Sequence, residues 1–207
     1  MPGNLDLWDR HADIDPAFTK PITGKAYKGT SPSPQYVIRC LTDMFGPVGQ
    51  GFGWDVTAEG WQPLGDEVLH WCRIRFWHTD RANGFDAYGQ TKALMKRKDG
   101  GFLTDEDAPK KSLTDAIVKA ASQIGVAANI FLGRWDDQKY VAQVAEEKRA
   151  AELADAVDEA VSIINAAPDV DSMTAAWQRM PEPVRKALSV IEAAKARKAQ
   201  LTEQKVA

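Results

Sequence analysis

Residues 107–140, DAPKKSLTDAIVKAASQIGVAANIFLGRWDDQKY, decide how the rest of the chain is read. Asp107 stands where an N-cap belongs, and Pro109 falls in the first turn, where a missing N–H costs nothing. At about 100° per residue, Leu113, Ile117, Ala120, Ala121, Ile124 and Ala128 share one side, while Lys111, Asp115, Lys119 and Ser122 share the opposite quarter. The spacing predicts a long helix with a core face and a face of spaced cations. Lys111 and Lys119 each lie one turn from Asp115, so part of that charge is neutralised within the helix. On pattern alone, a solvated helix face accounts for these residues equally well.

Upstream, the apolar positions switch period. Val37, Ile38, Leu41, Met44 and Phe45 recur at helical spacing after Pro34, and Gly46 with Pro47 stops them, which predicts a short helix. Three strand candidates follow: Phe52 to Trp61, Val68 to His78, and Phe85 to Met95. Pro63 and Gly65 mark the first turn, and Asn83-Gly84 the second. Alternation along the second strand sends Val68, His70, Cys72, Ile74 and Phe76 to one face and Leu69, Trp71, Arg73, Arg75 and Trp77 to the other. On the third, Asp86, Tyr88, Gln90 and Lys92 oppose Phe85, Ala87, Gly89, Thr91 and Ala93. Two Arg flanked by two Trp offer phosphate-binding forks and stacking planes on one face. The alternative is a covered surface strand whose Arg residues pair with carboxylates.

Basic residues cluster again in the run Lys96, Arg97, Lys98 and at Lys110 and Lys111, although the net charge is −3. A nearly neutral chain does not coat nucleic acid indiscriminately, so any nucleic-acid site must be a local stripe. The 207 residues suit one domain and an accessory piece, and 44% hydrophobic residues with seven Trp can fill a core. No long apolar run or leader-like start is present, so neither membrane nor export is expected. Cys40 and Cys72 form no disulfide or metal pattern, which fits a reducing compartment. Paired Asp136 and Asp137 lack further ligands, and His70 with Cys72 has only His11 and His78 for company, so no metal is expected. No phosphate-binding Gly loop with its Lys, nucleophile elbow or His-Glu helix motif occurs, so no ATP and no catalytic residue are expected.

The order KKSLTDAIVKAASQIG, a short apolar run, then WDDQKYV resembles the signature of the single-strand annealing proteins of the Rad-fifty-two type, whose phage relatives include the Erf and RecT/Redβ recombinases. QYVIRCLTDMFGPVGQGFGWDV is similar to the family's helix, Gly-rich turn and first strand, and FDAYGQ matches its Gly-Tyr-Gly region loosely. The resemblance spans residues 34 to 140. It implies an α+β fold: a short helix, a three-stranded antiparallel sheet and a long helix packed across it, a β-β-β-α core. An N-terminal arm (1–33) would precede this core, and a small helical module (141–207) would follow it.

By the same resemblance, the chain is a phage annealing protein acting in the bacterial cytoplasm without ATP, with Mg2+ at most a modulator. It would be a ring or helical filament of many copies holding single-stranded DNA, or the annealed duplex, in a groove. Lys119 matches a basic residue of the family's inner groove, Lys110 and Lys111 fall in the basic opening of that helix, and Arg39 stands near another basic position. Val118 and Ser122 depart from it, where better-known members carry cations. Arg73, Arg75, Trp77, Tyr88, Lys92, Lys96, Arg97 and Lys98 complete the expected DNA-binding set. The helical module would contact a host single-strand binding protein or a phage exonuclease. The competing readings are a non-catalytic oligomeric adaptor working through its helical tail, and a metal-dependent nuclease built on the scattered Asp residues.

Overall fold

The computed structural model describes Gly3, residues 5–22 and residues 29–204, with side chains of the last helix described as far as Thr202. Tyr27 of the N-terminal arm lies outside the described residues, as do residues 205–207. The chain divides into two compact units, Met1–Val144 and Ala145–Ala207.

The first unit opens with a short helix, α1 (Asp6–Asp9), and a two-stranded antiparallel ribbon, β1 (Thr19–Pro21) with β2 (Thr30–Pro32). This segment covers its own unit. Ile14 is 1% exposed within the main core, and the backbone N–H groups of Ala127 and Asn129 donate to the carbonyls of His11 and Ala12 at 2.8 and 3.1 Å. Helix α2 (Pro34–Phe45) follows and buries Val37, Cys40 and Leu41. It ends at Gly46, whose φ of 95° favours glycine.

Four strands then pair in sequence order, all antiparallel: β3 (Phe52–Leu64), β4 (Glu67–His78), β5 (Asp80–Lys96) and β6 (Phe102–Thr104). The expected three-stranded sheet therefore has a fourth strand. The basic run Arg97-Lys98 is the tip of the β5–β6 hairpin, and three residues are too few to announce β6 by alternation. The β4–β5 turn also differs from expectation. It falls at Thr79, with φ 63°, while Asn83 and Gly84 lie inside β5. Gly84 serves close approach instead, since a Cβ there would sit 2.8 Å from the Phe76 carbonyl and 2.9 Å from Arg75 Nε. Bulges interrupt the ladders at Val56/Ala58, Val68/Leu69 and Trp77/His78.

Helix α3 (Ala108–Gln123) packs on the inner face of β4 and β5. Asp107 occupies the N-cap position without capping through its side chain, which pairs with Lys110 instead. The buried face is Ala108, Ser112, Ala116, Ile117, Ala120 and Ala121. Ser112 and Ala116 belong to it because β5 presents Gly89 there, where a Cβ would stand only 2.0 Å from the Ser112 carbonyl oxygen. Phe52, Ile74 and Phe76 fill the space between sheet and helices, each 0% exposed and contributing about 1.5–3 kcal/mol by burial. Helix α4 (Ala128–Phe131) and the start of α5 (Gln138–Ala166) complete this unit. Tyr140 donates from its hydroxyl to Asp13 at 2.7 Å and accepts from Asn129 Nδ2 at 3.0 Å.

The second unit contains the rest of α5, α6 (Val170–Arg179), α7 (Glu182–Arg185) and α8 (Leu188–Gln204). Two small clusters hold it: Ala160, Val184 and Val190, and Ile164, Ala167 and Met173, with Trp177 and Met180 against both. Asp169 caps α6 by accepting from the Ser172 N–H at 2.7 Å, and Arg197 donates twice to the Ala167 carbonyl beyond α5. Among the described residues, no helix is long and apolar enough to cross a membrane.

Candidate nucleic-acid interface

The outer face of the sheet is built by the alternation of β4 and β5. Register places Arg75 between Asp55 and Asp86, Arg73 between Ala58 and Tyr88, and Trp71 between Gly60 and Gln90. Both outward Trp rings lie across glycines of β3. A Cβ on Gly53 would come within 2.7 Å of the Trp77 ring, and one on Gly60 within 3.2 Å of Trp71. Trp77 is thereby only 6% exposed, with the Arg81 guanidinium 5.9 Å from its ring centre. Its predicted role as a stacking plane fails on that burial, because a base has no open ring face to reach. Tyr88, by contrast, is 58% exposed.

Helix α3 reaches this face along the edge of β5. The Gln90 N–H donates to Asp115 Oδ2 at 3.1 Å, so the helix satisfies a backbone group of the strand edge. Beside that contact, a groove of about 610 Å3 is lined by Trp71, Asp86, Tyr88, Gln90, Asp115 and Lys119, a size that admits a base with its sugar. A second groove contains Lys20, Lys110 and Lys111, and it shares Asp115 with the first. Exposed Lys111, half-buried Asp115 and exposed Lys119 follow one another a turn apart, so the two grooves abut at Asp115 and together make the trough along α3.

Charge along the trough and on the neighbouring sheet face is largely balanced. Lys110 lies 2.6 Å from Asp107 and Lys111 2.6 Å from Asp105. That hydrogen bond to Asp107 holds the Lys110 ammonium above its usual range and keeps the Asp107 carboxyl below its own. Arg73 Nε donates to Thr57 Oγ1 at 3.0 Å and stands 3.7 Å from Asp86. Arg75 donates to the Ala82 carbonyl at 3.2 Å, and Lys119 rests over the Phe131 ring, 4.6 Å from its centre.

The other predicted cations sit elsewhere. Lys92 pairs with Glu67 and Lys96 with Asp66, both at 2.5 Å, and Arg97 with Asp99 at 3.3 Å, along the β5–β6 hairpin whose exposed tip carries Lys98. These exposed pairs contribute about 0–1 kcal/mol each, so a phosphate displaces the carboxylate at small cost. Arg39 lies over Tyr36, 5.6 Å from its ring centre, in a groove with Phe18 and Asp43 that shares no residue with the trough. Of the predicted residues, Tyr88 and Lys119 line one groove and Lys110 and Lys111 the other, while Arg73 and Arg75 stand on the outer sheet face and, like Arg39, line neither.

Sequence reasoning did not single out Lys20, Gln123 or Phe131. Lys20 stands on a three-residue strand, and Phe131 lies in an apolar run without alternation, so neither had a periodic signal. On the inner face, His70 and Cys72 are buried beside each other. Burial, then the nearby Glu59 and Asp115, pushes the Cys72 thiol up. Among the described residues, no group of three His, Cys, Asp or Glu is placed to hold a metal ion. The chain matches no protein-family model and no curated protein.

Proposed function

We propose that this chain is an ATP-independent single-strand annealing protein of the Rad-fifty-two type, a phage recombinase that holds DNA along the α3 trough. The observation that carries the proposal is the pair of grooves along α3: Lys119 from α3 and Trp71 and Tyr88 from the sheet line one, and it abuts at Asp115 the one that holds Lys20, Lys110 and Lys111. Ammonium groups supply phosphate contacts, and exposed aromatic faces supply sequence-tolerant stacking. Annealing then needs no chemical step. It requires backbone charge neutralised and bases left free to pair, with about 1.4 kcal/mol per base-pair step as driving force. Assembly of several copies into a ring or filament, with a partner-binding role for the helical unit, belongs to the same proposal.

The test mixes two complementary fluorescent oligonucleotides with the protein, with and without Mg2+ and without ATP. Faster pairing supports annealing, and shortened strands would mean a nuclease. Lys119→Ala with Arg73→Ala should weaken single-strand binding and make the salt slope shallower by about 1.4, from about 0.7 per phosphate contact. Wild-type affinity in that double variant would refute the trough as the binding site. The second reading, an oligomeric adaptor without DNA contact, draws on the ion pairs that already occupy most of the cations and on an apolar groove of the helical unit lined by Ala156, Ile163, Met180 and Val184. It requires unchanged pairing rates.

A further inference from the structure

Phe131 is 43% exposed, although Ala128, Asn129 and Ile130 of the same short helix are buried. A lone exposed ring is ordinary. This one is not alone, because the ammonium above it, Lys119 Nζ at 4.6 Å from the ring centre, also lines the groove with Trp71 and the 58%-exposed Tyr88. Two open aromatic rings therefore flank one cation that is not held by a carboxylate within 4 Å among the described residues. A cation–π contact at an exposed site is weak and reversible, and a phosphate competes with it for the same ammonium.

We infer that Phe131 and Tyr88 are base-stacking residues and that Lys119 couples the two halves of recognition, uncovering the Phe131 ring as its ammonium turns to a phosphate. The inference deepens the single-strand reading above and rests on it. In the free protein Lys119 shields one ring face from water. When a strand enters, the ammonium follows the backbone and the freed face takes a base. A duplex offers phosphates but no unstacked base, so it engages Lys119 without gaining the ring. The trough therefore discriminates in favour of the unpaired strand, and pairing of two strands weakens their hold on it.

The experiment uses the full chain and a short single-stranded oligonucleotide carrying 2-aminopurine, with affinity read by anisotropy and stacking by quenching of the base. Phe131→Ala should bind roughly 5- to 150-fold less tightly and lose the quench, the effect of removing one stacked base. Phe131→Trp should retain both, and Phe131→Leu should behave as Ala because it keeps bulk without a π face. Affinity for the fully paired duplex should be unchanged in all three. Lys119→Ala combined with Phe131→Ala should lose less than the product of the single losses, since the two act on one event. If wild type binds the strand but Phe131→Ala or Phe131→Leu binds and quenches equally well, stacking on Phe131 is overturned while the single-strand reading stands. If wild type binds no strand at all, both fall together.

Discussion

Gly89→Ala tests the packing that creates the trough. A Cβ at residue 89 would lie 2.0 Å from the Ser112 carbonyl oxygen and 2.3 Å from the Ala116 nitrogen, against about 3.4 Å for ordinary contact. Both obstacles are helix backbone and cannot rotate away, so α3 must retreat from the sheet by more than an ångström. Retreat breaks the buried Ser112 Oγ–His70 carbonyl bond of 3.0 Å and stretches the Gln90–Asp115 contact of 3.1 Å. Overpacking costs about 1–3 kcal/mol and the lost buried bond about 1 more, while the stiffer unfolded chain returns only about 0.4–1. A net loss of about 1–3.5 kcal/mol is expected, against about 1 for Ser112→Ala, which removes the bond without moving the helix. Urea unfolding should be followed by Trp fluorescence in a Trp177→Phe background, because the other six Trp all belong to the first unit. A Gly89→Ala protein within about 0.5 kcal/mol of its parent would refute the close seating of α3 on β5 and with it the geometry of the trough.

Two further outcomes follow from the burial of titratable groups. Burial lowers the His78 imidazole below its ordinary range, and the ring stacks on Phe45 at 4.5 Å between centres. A lowered folded value means the unfolded chain takes the proton more readily, so this stability is whole above about pH 6.5 and declines as pH falls through the folded value. Urea midpoints at pH 7.5 and 5.5 should drop in wild type and drop less in His78→Gln; equal drops would remove His78 from the account. Cys40 and Cys72 are 2% and 1% exposed, and the Cys72 thiol is pushed up, so neither should react with a disulfide reagent in the native protein at pH 8 while both react in urea. Rapid labelling of the folded chain would contradict the inner-face assignment of β4.

The β4 and β5 faces were legible because a half-buried strand has to alternate: His70, Cys72, Ile74 and Phe76 turn inward and Arg73, Arg75 and Tyr88 turn outward, as their spacing requires. The cation stripe of α3 was legible for the matching reason at helical period. Glycines misled. Asn83-Gly84 has turn chemistry, but Gly84 is used to admit the Arg75 side chain, and a sequence gives no sign of which of glycine's two talents is in use. Trp77 was misplaced in accessibility rather than direction, because its cover comes from Gly53 on a neighbouring strand. The ion pairs at Lys92, Lys96 and Lys111 also join residues distant in sequence or outside one helix, beyond the reach of periodicity.

The four strands lie side by side in the order in which they are synthesised, and this has a kinetic consequence. Each ladder grows from a tight turn, so little chain entropy is lost before the first pairs form, and the meander can zip in stages. Hairpins that long can also slide by two residues and trap a misaligned state. The bulges at Thr57 and Ala93, with indoles resting on Gly53 and Gly60, act as detents against such slippage, since the extra residue and the ring-sized gap coincide in one alignment only.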